Sequence, residues 1–284
     1  MELDFLASTI KATRPKQWVK NLLVAAAPLA AGQFGSQITS ILLGVISFTA
    51  ASIFGYLIND WRDRESDRNH PVKKYRPFAA KKLSFKHLIS LLLASLLILI
   101  STCLNLTIQF SFTILIYLLI TISYSLKIKN EPVVEMIWLS LGFLVRAIAG
   151  SAIIQEPPTG WFVVAVGFGA LFVVSSKRLA ELKNNHSLQT RGVISKYNEQ
   201  FLNLVLATSI SITLLTYSLW VFQVHPNSFL AQLTILPFTI SIFRYAWYCE
   251  KEDAESPESL IYRDKLLIIS SLAIVILLVV VIYK

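Results

Sequence analysis

Residues 38–67 read ITSILLGVISFTAASIFGYLINDWRDRESD, an apolar block that ends in a cluster of charges. Residues 38–58 contain no Asp, Glu, Lys or Arg, whereas six of the nine residues from 59 to 67 are charged. A helix needs about 20 mostly apolar residues to cross the hydrocarbon core of a bilayer. The stretch therefore predicts a transmembrane helix that ends in a polar segment at one membrane surface.

The rest of the chain repeats this alternation of long apolar blocks and short charged clusters. Of its 284 residues, 55% are hydrophobic and 15% are charged, whereas soluble domains carry about 25% charged residues. This composition excludes a water-soluble globular domain and predicts an all-α, polytopic membrane protein. Blocks of suitable length predict nine transmembrane helices, at residues 18–34, 38–58, 87–106, 108–126, 133–154, 159–176, 201–223, 229–248 and 266–282.

The basic residues predict the orientation of the chain. There are 26 Lys and Arg residues against 17 Asp and Glu, and 23 of the 26 lie in the N-terminal arm up to Lys20 or in the connections 59–86, 127–132, 177–200 and 249–265. The connections between these contain none, and Lys and Arg mark the cytoplasmic side. We expect one integral-membrane domain, residues 1–284, with a cytoplasmic N-terminus and an external C-terminus. Its two long cytoplasmic loops, about 59–86 and 177–200, are the expected functional segments.

Oxygen ligands cluster where the second predicted helix ends. At about 100° per residue, Asn59, Asp63 and Asp67 project along one helical face, with Asp60 and Tyr56 beside them. Oxygen donors without His or Cys are typical of Mg²⁺, which takes one or two protein carboxylates and completes its shell with water and phosphate oxygens. The stripe therefore predicts a magnesium site that requires a phosphorylated ligand.

Basic side chains follow this stripe and could neutralise a diphosphate from the other side. They are Lys73, Lys74, Arg76, Lys81, Lys82 and Lys86. The alternative is a solvated basic loop that obeys the positive-inside rule, its carboxylates pairing with Arg62, Arg64 and Arg68. The first interpretation predicts that Lys73, Lys74 and Arg76 bind the phosphates of a donor substrate.

The stripe resembles the first signature of the UbiA superfamily of intramembrane prenyltransferases, N-D-x-x-D-x-x-x-D at the end of the second helix. The sequence NDWRDRESD matches that signature at every specified position. The resemblance implies a nine-helix fold with its active site at the cytoplasmic side. It also implies that Asn59, Asp63 and Asp67 are catalytic residues that hold Mg²⁺ on a diphosphate, with Asp60 as a further metal ligand.

A second match is YSLKIK, from Tyr124 to Lys129. The resemblance implies that Tyr124 and Lys129 line the polar pocket, where they and Tyr56 would bind the donor.

The chain departs from ordinary members of that superfamily after its sixth predicted helix. Those members carry a second Asp-rich motif there, whereas this chain reads SSKRLAEL at residues 175–182. Cations in place of carboxylates predict that this part of the pocket binds a phosphate without an intervening metal. The alternative is a structural pair between Lys177 and Glu181, one helical turn apart.

Four segments resemble the decaprenyl-phosphate phosphoribosyltransferase branch of the superfamily, namely RPKQWVKN (14–21), FLVRAIAG (143–150), SSKRLAEL (175–182) and ESPESLIYRDK (255–265). The resemblance implies a Mg²⁺-dependent pentosyltransferase of the bacterial cell membrane. Its donor would be 5-phosphoribosyl 1-diphosphate and its acceptor a polyprenyl phosphate, and its product would supply arabinose to a cell envelope.

One further set of residues is predicted to bind the lipid phosphate. Arg146 lies in the middle of a predicted span, where a cation costs about 2.5–3.5 kcal/mol on insertion scales, so it needs an anionic or carbonyl partner inside the bundle. The alternative is an arginine that only packs helices together. The predicted lipid-phosphate-binding residues are Lys16, Gln17, Lys20, Asn21, Arg146, Lys177 and Arg178.

Two other functions stay open at this point. An ordinary member of the superfamily would move a prenyl group from a prenyl diphosphate to an aromatic acceptor. A transporter is the more remote alternative, because intramembrane charge marks transport pathways, yet the spans lack paired Gly- or Pro-broken segments. The lipid bilayer is an expected partner, nucleic acid is not, and self-association into a homo-oligomer is left open.

Overall fold

The computed structural model describes residues 2–183, 192–250 and 264–283. All regular structure in these ranges is helical. The longer helices are α1 (Glu2–Thr13), α3 (Ile38–Arg62), α5 (Phe85–Cys103), α6 (Ile108–Leu126), α7 (Val134–Ile154), α8 (Gly160–Lys183), α9 (Glu199–Val224), α11 (Ile235–Glu250) and α12 (Lys265–Tyr283). The shorter helices are α2 (Ala26–Ala30), α4 (Arg64–Arg68) and α10 (Phe229–Leu233), and an extended 3₁₀ segment covers Pro15–Ala25.

Eight helical segments of the described ranges are long and apolar enough to cross a membrane. They correspond to the second to ninth predicted spans, which confirms the all-α, polytopic class. The eighth of the nine predicted spans, 229–248, consists of α10 and α11 with a break at Thr234. Helix α8 runs seven residues beyond the predicted end at 176, so the stretch SSKRLAEL is helical rather than part of a loop.

The first predicted span, 18–34, is not one continuous α-helix. The 3₁₀ segment Pro15–Ala25 leads into the five-residue helix α2. Pro15 stands at the start of this segment, and Arg14 before it has a φ of 53° and a ψ of 62°, so helix α1 cannot continue into it. Pro28 has no N–H to donate to the Val24 carbonyl oxygen, which removes an α-helical hydrogen bond. Local proline chemistry therefore explains the difference.

The chain divides into two compact units, each with its own apolar core. The first contains residues 1–28, 34–125 and 145–156, and the second contains 29–33, 126–144 and 157–284. Helix α7 contributes to both units, and the prediction of a single membrane domain stays a prediction.

The core of the first unit positions the polar segments that follow α3. Phe48 on α3 packs edge-on against Phe110 of α6, with 5.8 Å between ring centroids, and Val24 and Ile153 join the same cluster. A second cluster, at the end of α3, contains Leu57, Phe78, Leu83, Leu88 and Ala12. This second cluster holds residues 69–85 against the end of α3.

Candidate active site

The Asp-rich stretch keeps its helical register although α3 ends within it. The Asp63 N–H donates to the Asn59 carbonyl oxygen and the Asp67 N–H donates to the Asp63 carbonyl oxygen, both at 2.9 Å. These bonds between residues four apart continue the helical path from α3 through Asp63 into α4. The backbone therefore keeps the four-residue period of Asn59, Asp63 and Asp67 on which the prediction of a shared face rests, and metal binding by their side chains stays a prediction.

Two carboxylates of this stretch are buried against arginines from elsewhere in the first unit. Asp60 is 3% exposed and Asp67 is 4% exposed. Nη1 of Arg76 lies 3.1 Å from Asp60 Oδ1 and 2.8 Å from Asp67 Oδ2. Asp60 Oδ1 also accepts a hydrogen bond from Nη2 of Arg14. A single guanidinium group therefore bridges the two carboxylates, and a second one caps Asp60.

Aromatic packing places Arg76 in this bridge. Phe78 is buried, and its ring meets the Trp61 ring edge-on at 5.8 Å between centroids. Arg76 precedes Pro77 and has an extended backbone, with φ −65° and ψ 142°, because the ring of a following proline disfavours helical conformation. Phe78 thus anchors the chain to α3, and Arg76 reaches back to the carboxylates from there.

Arg14 reaches the site from the junction between α1 and the 3₁₀ segment. Its backbone is in the left-handed region, which few non-glycine residues adopt. The guanidinium carbon lies 4.8 Å from the centre of the Tyr56 ring, close enough for a cation–π interaction. Tyr56, predicted to bind the donor, therefore contacts an arginine that itself contacts Asp60.

Two arginines of the alternative interpretation pair with Glu65, an exposed carboxylate of the same loop. Arg68 pairs with Glu65 at 2.5 Å, and Arg64 lies 3.6 Å from Glu65 and stacks on Trp61 at 4.2 Å. Arg62 donates to the Ser125 carbonyl oxygen at 2.5 Å. The nearest basic residues in sequence thus do not neutralise Asp60 or Asp67, which instead contact Arg14 and Arg76.

The donor set fits a divalent cation that is completed by a ligand. The two buried carboxylates already face one shared cationic group, and all their donor atoms are oxygens, which Mg²⁺ prefers. In the described ranges, no three or more His, Cys, Asp or Glu side chains are arranged to hold a metal by themselves. A cation bound here would therefore need phosphate oxygens or water to complete its shell.

The other predicted donor-binding residues lie on separate elements. Lys73 is half-buried and Lys74 is exposed in the turn before Arg76, and the Lys74 ammonium lies 5.2 Å from the Tyr75 ring centre. Tyr124 and Lys129 are half-buried, the first on α6 and the second in the short 3₁₀ turn Ile128–Asn130. Their contact with a donor stays a prediction.

The 3₁₀ segment separates four of the residues predicted to bind the lipid phosphate. A 3₁₀-helix has three residues per turn, so side chains three apart lie above one another. Lys16 and Val19 share an exposed row, Gln17 and Lys20 share a half-buried row, and Asn21 is fully buried. The structure therefore places Gln17 and Lys20 together and Lys16 on another side of the segment.

Arg146 and Asn21 meet inside the first unit. Arg146 is 5% exposed, and its Nε donates to Asn21 Oδ1 at 2.8 Å. Its Nη2 donates to the Tyr117 hydroxyl at 2.7 Å and to Ser52 Oγ at 3.2 Å, and its guanidinium lies 4.5 Å from the Tyr117 ring centre. The predicted carbonyl partner is thus the Asn21 amide oxygen, and lipid-phosphate binding by either residue stays a prediction.

Arg178 forms a buried ion-pair cluster in the second unit. Its Nε and Nη2 donate to the two carboxylate oxygens of Glu135, both at 2.6 Å, and its Nη1 donates to Glu181 at 2.5 Å. Arg178 is 2% exposed and Glu135 is fully buried. Glu181 thus pairs with Arg178, which lies three residues before it on the same helix. These contacts give Arg178 a structural function, while lipid-phosphate binding by Arg178 and by half-buried Lys177 stays a prediction.

Tyr197 completes this cluster from the segment before α9. Its hydroxyl accepts from the Val133 N–H at 2.8 Å and donates to Glu135 at 3.3 Å. Burial raises the pKa of Tyr197 to about 12, so the hydroxyl stays protonated at neutral pH. The cluster therefore fixes the start of α7 against α8.

A third ion pair lies at the start of α12. Asp264 accepts from Arg244 at 2.9 Å and from the Tyr248 hydroxyl at 2.6 Å, and it caps the helix by accepting from the Leu267 N–H at 2.8 Å. The hydrogen bonds from Arg244 hold the pKa of Asp264 well below its usual value. This gives Asp264 a structural function. Glu258, which lies in the same matching stretch of sequence, is outside the described residues.

Sequence reasoning did not identify Arg14 or Glu135 as functional positions. Arg14 belongs to the basic N-terminal arm and begins the matching segment RPKQWVKN, but neither observation gives it a function of its own. Glu135 opens an apolar span whose periodicity carries no sign of a partner 43 residues away. Arg14 immediately precedes a proline at the start of the segment that breaks the first span, and this local feature was the available signal.

A family model described as the UbiA prenyltransferase family matches residues 21–272. The decaprenyl-phosphate phosphoribosyltransferase of Mycobacterium tuberculosis is 34% identical over 95% of this chain and 92% of its own length. The protein of that name from Corynebacterium glutamicum is 34% identical over 96% of this chain and 86% of its own length.

The fold is similar to that of a solved UbiA homologue from Archaeoglobus fulgidus bound to GPP and Mg²⁺. The TM-score is 0.74 and the identity 19%, over 98% of this chain and the whole of that one. At this identity the similarity concerns the fold alone.

Proposed function

The chain belongs to the UbiA prenyltransferase family, and we propose that it transfers a 5-phosphoribosyl group from 5-phosphoribosyl 1-diphosphate to a polyprenyl phosphate. The products would be diphosphate and polyprenyl-phosphoryl 5-phosphoribose. The curated relatives that match nearly the whole chain carry the corresponding name.

The main support from the structure is the pair of buried carboxylates, Asp60 and Asp67, that share one guanidinium group. Two acidic groups at the end of a membrane helix are costly to bury unless a cation neutralises them. Arg14 and Arg76 supply that neutralisation in the structure, and a metal-bound diphosphate would bring a cation for the carboxylates together with anions for the two arginines.

A second observation favours this reaction over ordinary prenyl transfer. Ordinary members carry a second set of metal-binding carboxylates on the helix that corresponds to α8. Here Glu181 of that helix pairs with Arg178, whose other side holds Glu135. Glu181 is the single carboxylate of α8, where ordinary members carry several, and this favours phosphate binding there without a second metal.

The chain's own residues would act by positioning and electrostatics. Asn59, Asp63 and Asp67, with Asp60, would hold the donor diphosphate through Mg²⁺, which supplies stabilisation of negative charge on the leaving diphosphate. Lys73, Lys74 and Arg76 would neutralise the remaining phosphate charge. Lys20 and Gln17 would bind the acceptor phosphate from their shared row on the 3₁₀ segment.

Bond making and breaking would occur at carbon one of the ribose. A phosphate monoester is largely ionised at neutral pH, so its oxygen attacks carbon one without a general base. The bond from that carbon to the diphosphate oxygen breaks, and the diphosphate leaves with the electron pair. Direct displacement inverts the configuration at carbon one, and the site contributes by holding the reactants in line.

The distribution of Lys and Arg supports an inner-membrane orientation with the N-terminus and the Asp-rich loop in the cytoplasm of a bacterium. This orientation fits the substrates, because a phosphorylated sugar donor reaches the site from the cytoplasm and the polyprenyl phosphate from the bilayer.

Label transfer into lipid tests the proposal directly. Purified protein in nanodiscs is incubated with Mg²⁺, a polyprenyl phosphate and donor labelled in the ribose, and label is measured in an organic extract. We expect label in the extract, and its loss when EDTA replaces Mg²⁺. A parallel sample contains labelled prenyl diphosphate and a hydroxybenzoate. Prenylated benzoate together with an unlabelled lipid phosphate would reject the proposal in favour of ordinary prenyl transfer.

A further inference from the structure

Arg14 and Arg76 together neutralise the two buried carboxylates of the Asp-rich stretch. Asp60 contacts both arginines and Asp67 contacts Arg76. Each arginine side chain is only about a quarter exposed, at 26% for Arg14 and 25% for Arg76. Two positive and two negative charges therefore balance in a largely buried group of side chains.

The backbone conformation of Arg14 indicates that the surrounding structure maintains its contact with Asp60. Its left-handed conformation is unfavourable for a non-glycine residue, and such outliers persist where the surrounding structure determines them. Here the contact with Asp60 and the stacking on Tyr56 hold the side chain. The junction between α1 and the 3₁₀ segment is thus held against α3.

A divalent cation would compete with these arginines for the same atoms. The oxygen of Asp60 that accepts from Arg14 also accepts from Arg76. A carboxylate oxygen has few lone-pair positions, and a metal needs one of them. A cation that bridges Asp60 Oδ1 and Asp67 Oδ2 would take the position of Arg76 Nη1 and would share Asp60 Oδ1 with Arg14. The guanidinium groups would then need other anions, since an unpaired buried charge is costly.

We propose that Arg14 is a phosphate-binding residue of the donor site. Arg14 is paired with Asp60 until a metal-bound diphosphate binds. Asp60 and Asp67 would then hold the metal, and Arg14 and Arg76 would transfer their hydrogen bonds to diphosphate oxygens. Each state stays close to neutral, because the cation and the diphosphate enter together. The inference rests on the proposed function only in that the ligand is a metal-bound diphosphate.

If Arg14 exchanges Asp60 for a diphosphate, its removal should have opposite effects on the binding of metal alone and on the binding of diphosphate with metal. Removing Arg14 removes a competitor, so a metal without diphosphate binds more tightly. It also removes a phosphate contact, so diphosphate binds more weakly in the presence of the metal. A residue that only stabilises the fold would weaken both.

The experiment uses full-length Arg14→Ala protein in nanodiscs, with Mn²⁺ as the metal probe and inorganic pyrophosphate as the anion. Free Mn²⁺ is measured by its electron paramagnetic resonance signal, and pyrophosphate binding by calorimetry at saturating Mn²⁺. We expect Mn²⁺ alone to bind about threefold to tenfold more tightly than to the wild type. Pyrophosphate should bind about tenfold or more weakly. Arg14→Lys, which keeps the charge, should fall between Arg14→Ala and the wild type in both measurements.

Lys11→Ala is the matched control, because Lys11 is an exposed basic residue one turn before Arg14, and its removal should change neither value. Arg14→Asn tests the same exchange should Arg14→Ala fail to fold, since Asn tolerates the left-handed conformation. Unchanged or weaker Mn²⁺ binding without pyrophosphate would overturn the proposal, as would unchanged pyrophosphate binding.

Neither measurement uses a ribose donor or a lipid acceptor, so the two proposals fail separately. Opposite effects of Arg14→Ala on the two binding measurements, together with no label transfer by the wild type, would reject the phosphoribosyl reaction and retain the proposed exchange of Arg14 contacts. Label transfer without the opposite effects would reject the exchange alone.

Discussion

The charged side chains that the described residues bury all have polar partners within hydrogen-bonding distance. Some pair with opposite charges, as Asp60 does with Arg14 and Arg76, whereas Arg146 contacts an amide oxygen and two hydroxyls. The buried charged residues are Asp60, Asp67, Glu135, Arg146, Arg178 and Asp264. Because a buried charge without partners costs several kcal/mol, each of these contacts constrains how its segment packs.

The Asp-rich stretch should be essential for transfer. We expect Asp63→Asn or Asp67→Asn to lower the rate of phosphoribosyl transfer at least about 100-fold, because an amide is a weaker metal ligand and carries no charge. The measurement is label transfer by folded protein of equal amount in nanodiscs. Glu65→Gln is the matched control, since Glu65 lies on α4 but is 64% exposed and pairs with Arg68. Near-normal transfer by either Asp variant would contradict the assigned function of the stretch.

The buried pair of Glu135 and Arg178 should stabilise the second unit in a way that depends on both partners. Glu135→Gln leaves a buried guanidinium group without its bidentate carboxylate, so we expect the free energy of unfolding to fall by about 3–5 kcal/mol. The double variant Glu135→Leu/Arg178→Met should lose much less, because the buried carboxylate and its guanidinium partner are removed together, while Glu181 is 15% exposed to water. Denaturant unfolding in detergent micelles measures both values. Equal losses in the single and double variants would contradict the cost assigned to a buried guanidinium group that has lost Glu135.

At the scale of the element, the 3₁₀ segment determines which side chains of the N-terminal region reach the site. In an α-helix Gln17 and Lys20 would lie 60° apart around the axis, whereas three residues per turn align them. The same segment presents Asn21 to Arg146 and its Val24 carbonyl to α7. A close approach of helices at this position requires a residue without a side chain.

Gly150 on α7 should be required for this approach. A Cβ atom there would lie 2.1 Å from the Val24 carbonyl oxygen and 2.7 Å from Pro28 Cδ, and backbone cannot move away as a flexible side chain can. We expect Gly150→Ala to lower the unfolding temperature in nanodiscs and the free energy of unfolding by about 1–3 kcal/mol. Gly160→Ala is the control, because no atom lies within 4 Å of the Cβ position and Ala favours helix. Comparable stability of the two variants would contradict the packing described.

At the scale of the whole molecule, orientation in the membrane depends on whether residues 15–30 cross it. Eight described segments are long enough to span, and eight crossings would return the C-terminus to the side of the N-terminus. The 3₁₀ segment rises about 2.0 Å per residue, so with α2 it reaches about 30 Å, the thickness of the hydrocarbon core. It is therefore long enough to provide a ninth crossing.

Reporter fusions test this topology. We expect alkaline phosphatase, which is active only outside the cytoplasm, to be active when fused after Lys284 and inactive when fused after Asn130. The physical reason is that the connections that contain Lys and Arg stay in the cytoplasm. A fluorescent protein fused to the same positions should show the reverse pattern. A cytoplasmic reporter signal at the C-terminus would reject the ninth crossing.

The sequence determined the positions of eight spans and the Asp-rich stretch, because both depend on local patterns. Apolar block length sets a span, and a period of four places Asn59, Asp63 and Asp67 on one face. The bounds agree with the structure within a few residues, except where α8 continues to Lys183.

Only the tertiary structure decided which cations neutralise the carboxylates. Arg14 reaches Asp60 across 46 residues and Arg178 reaches Glu135 across 43, while Arg62, Arg64 and Arg68 have other contacts. Hydropathy and periodicity carry no information about such pairs, because the energy of an ion pair depends on burial and geometry that arise when remote segments pack.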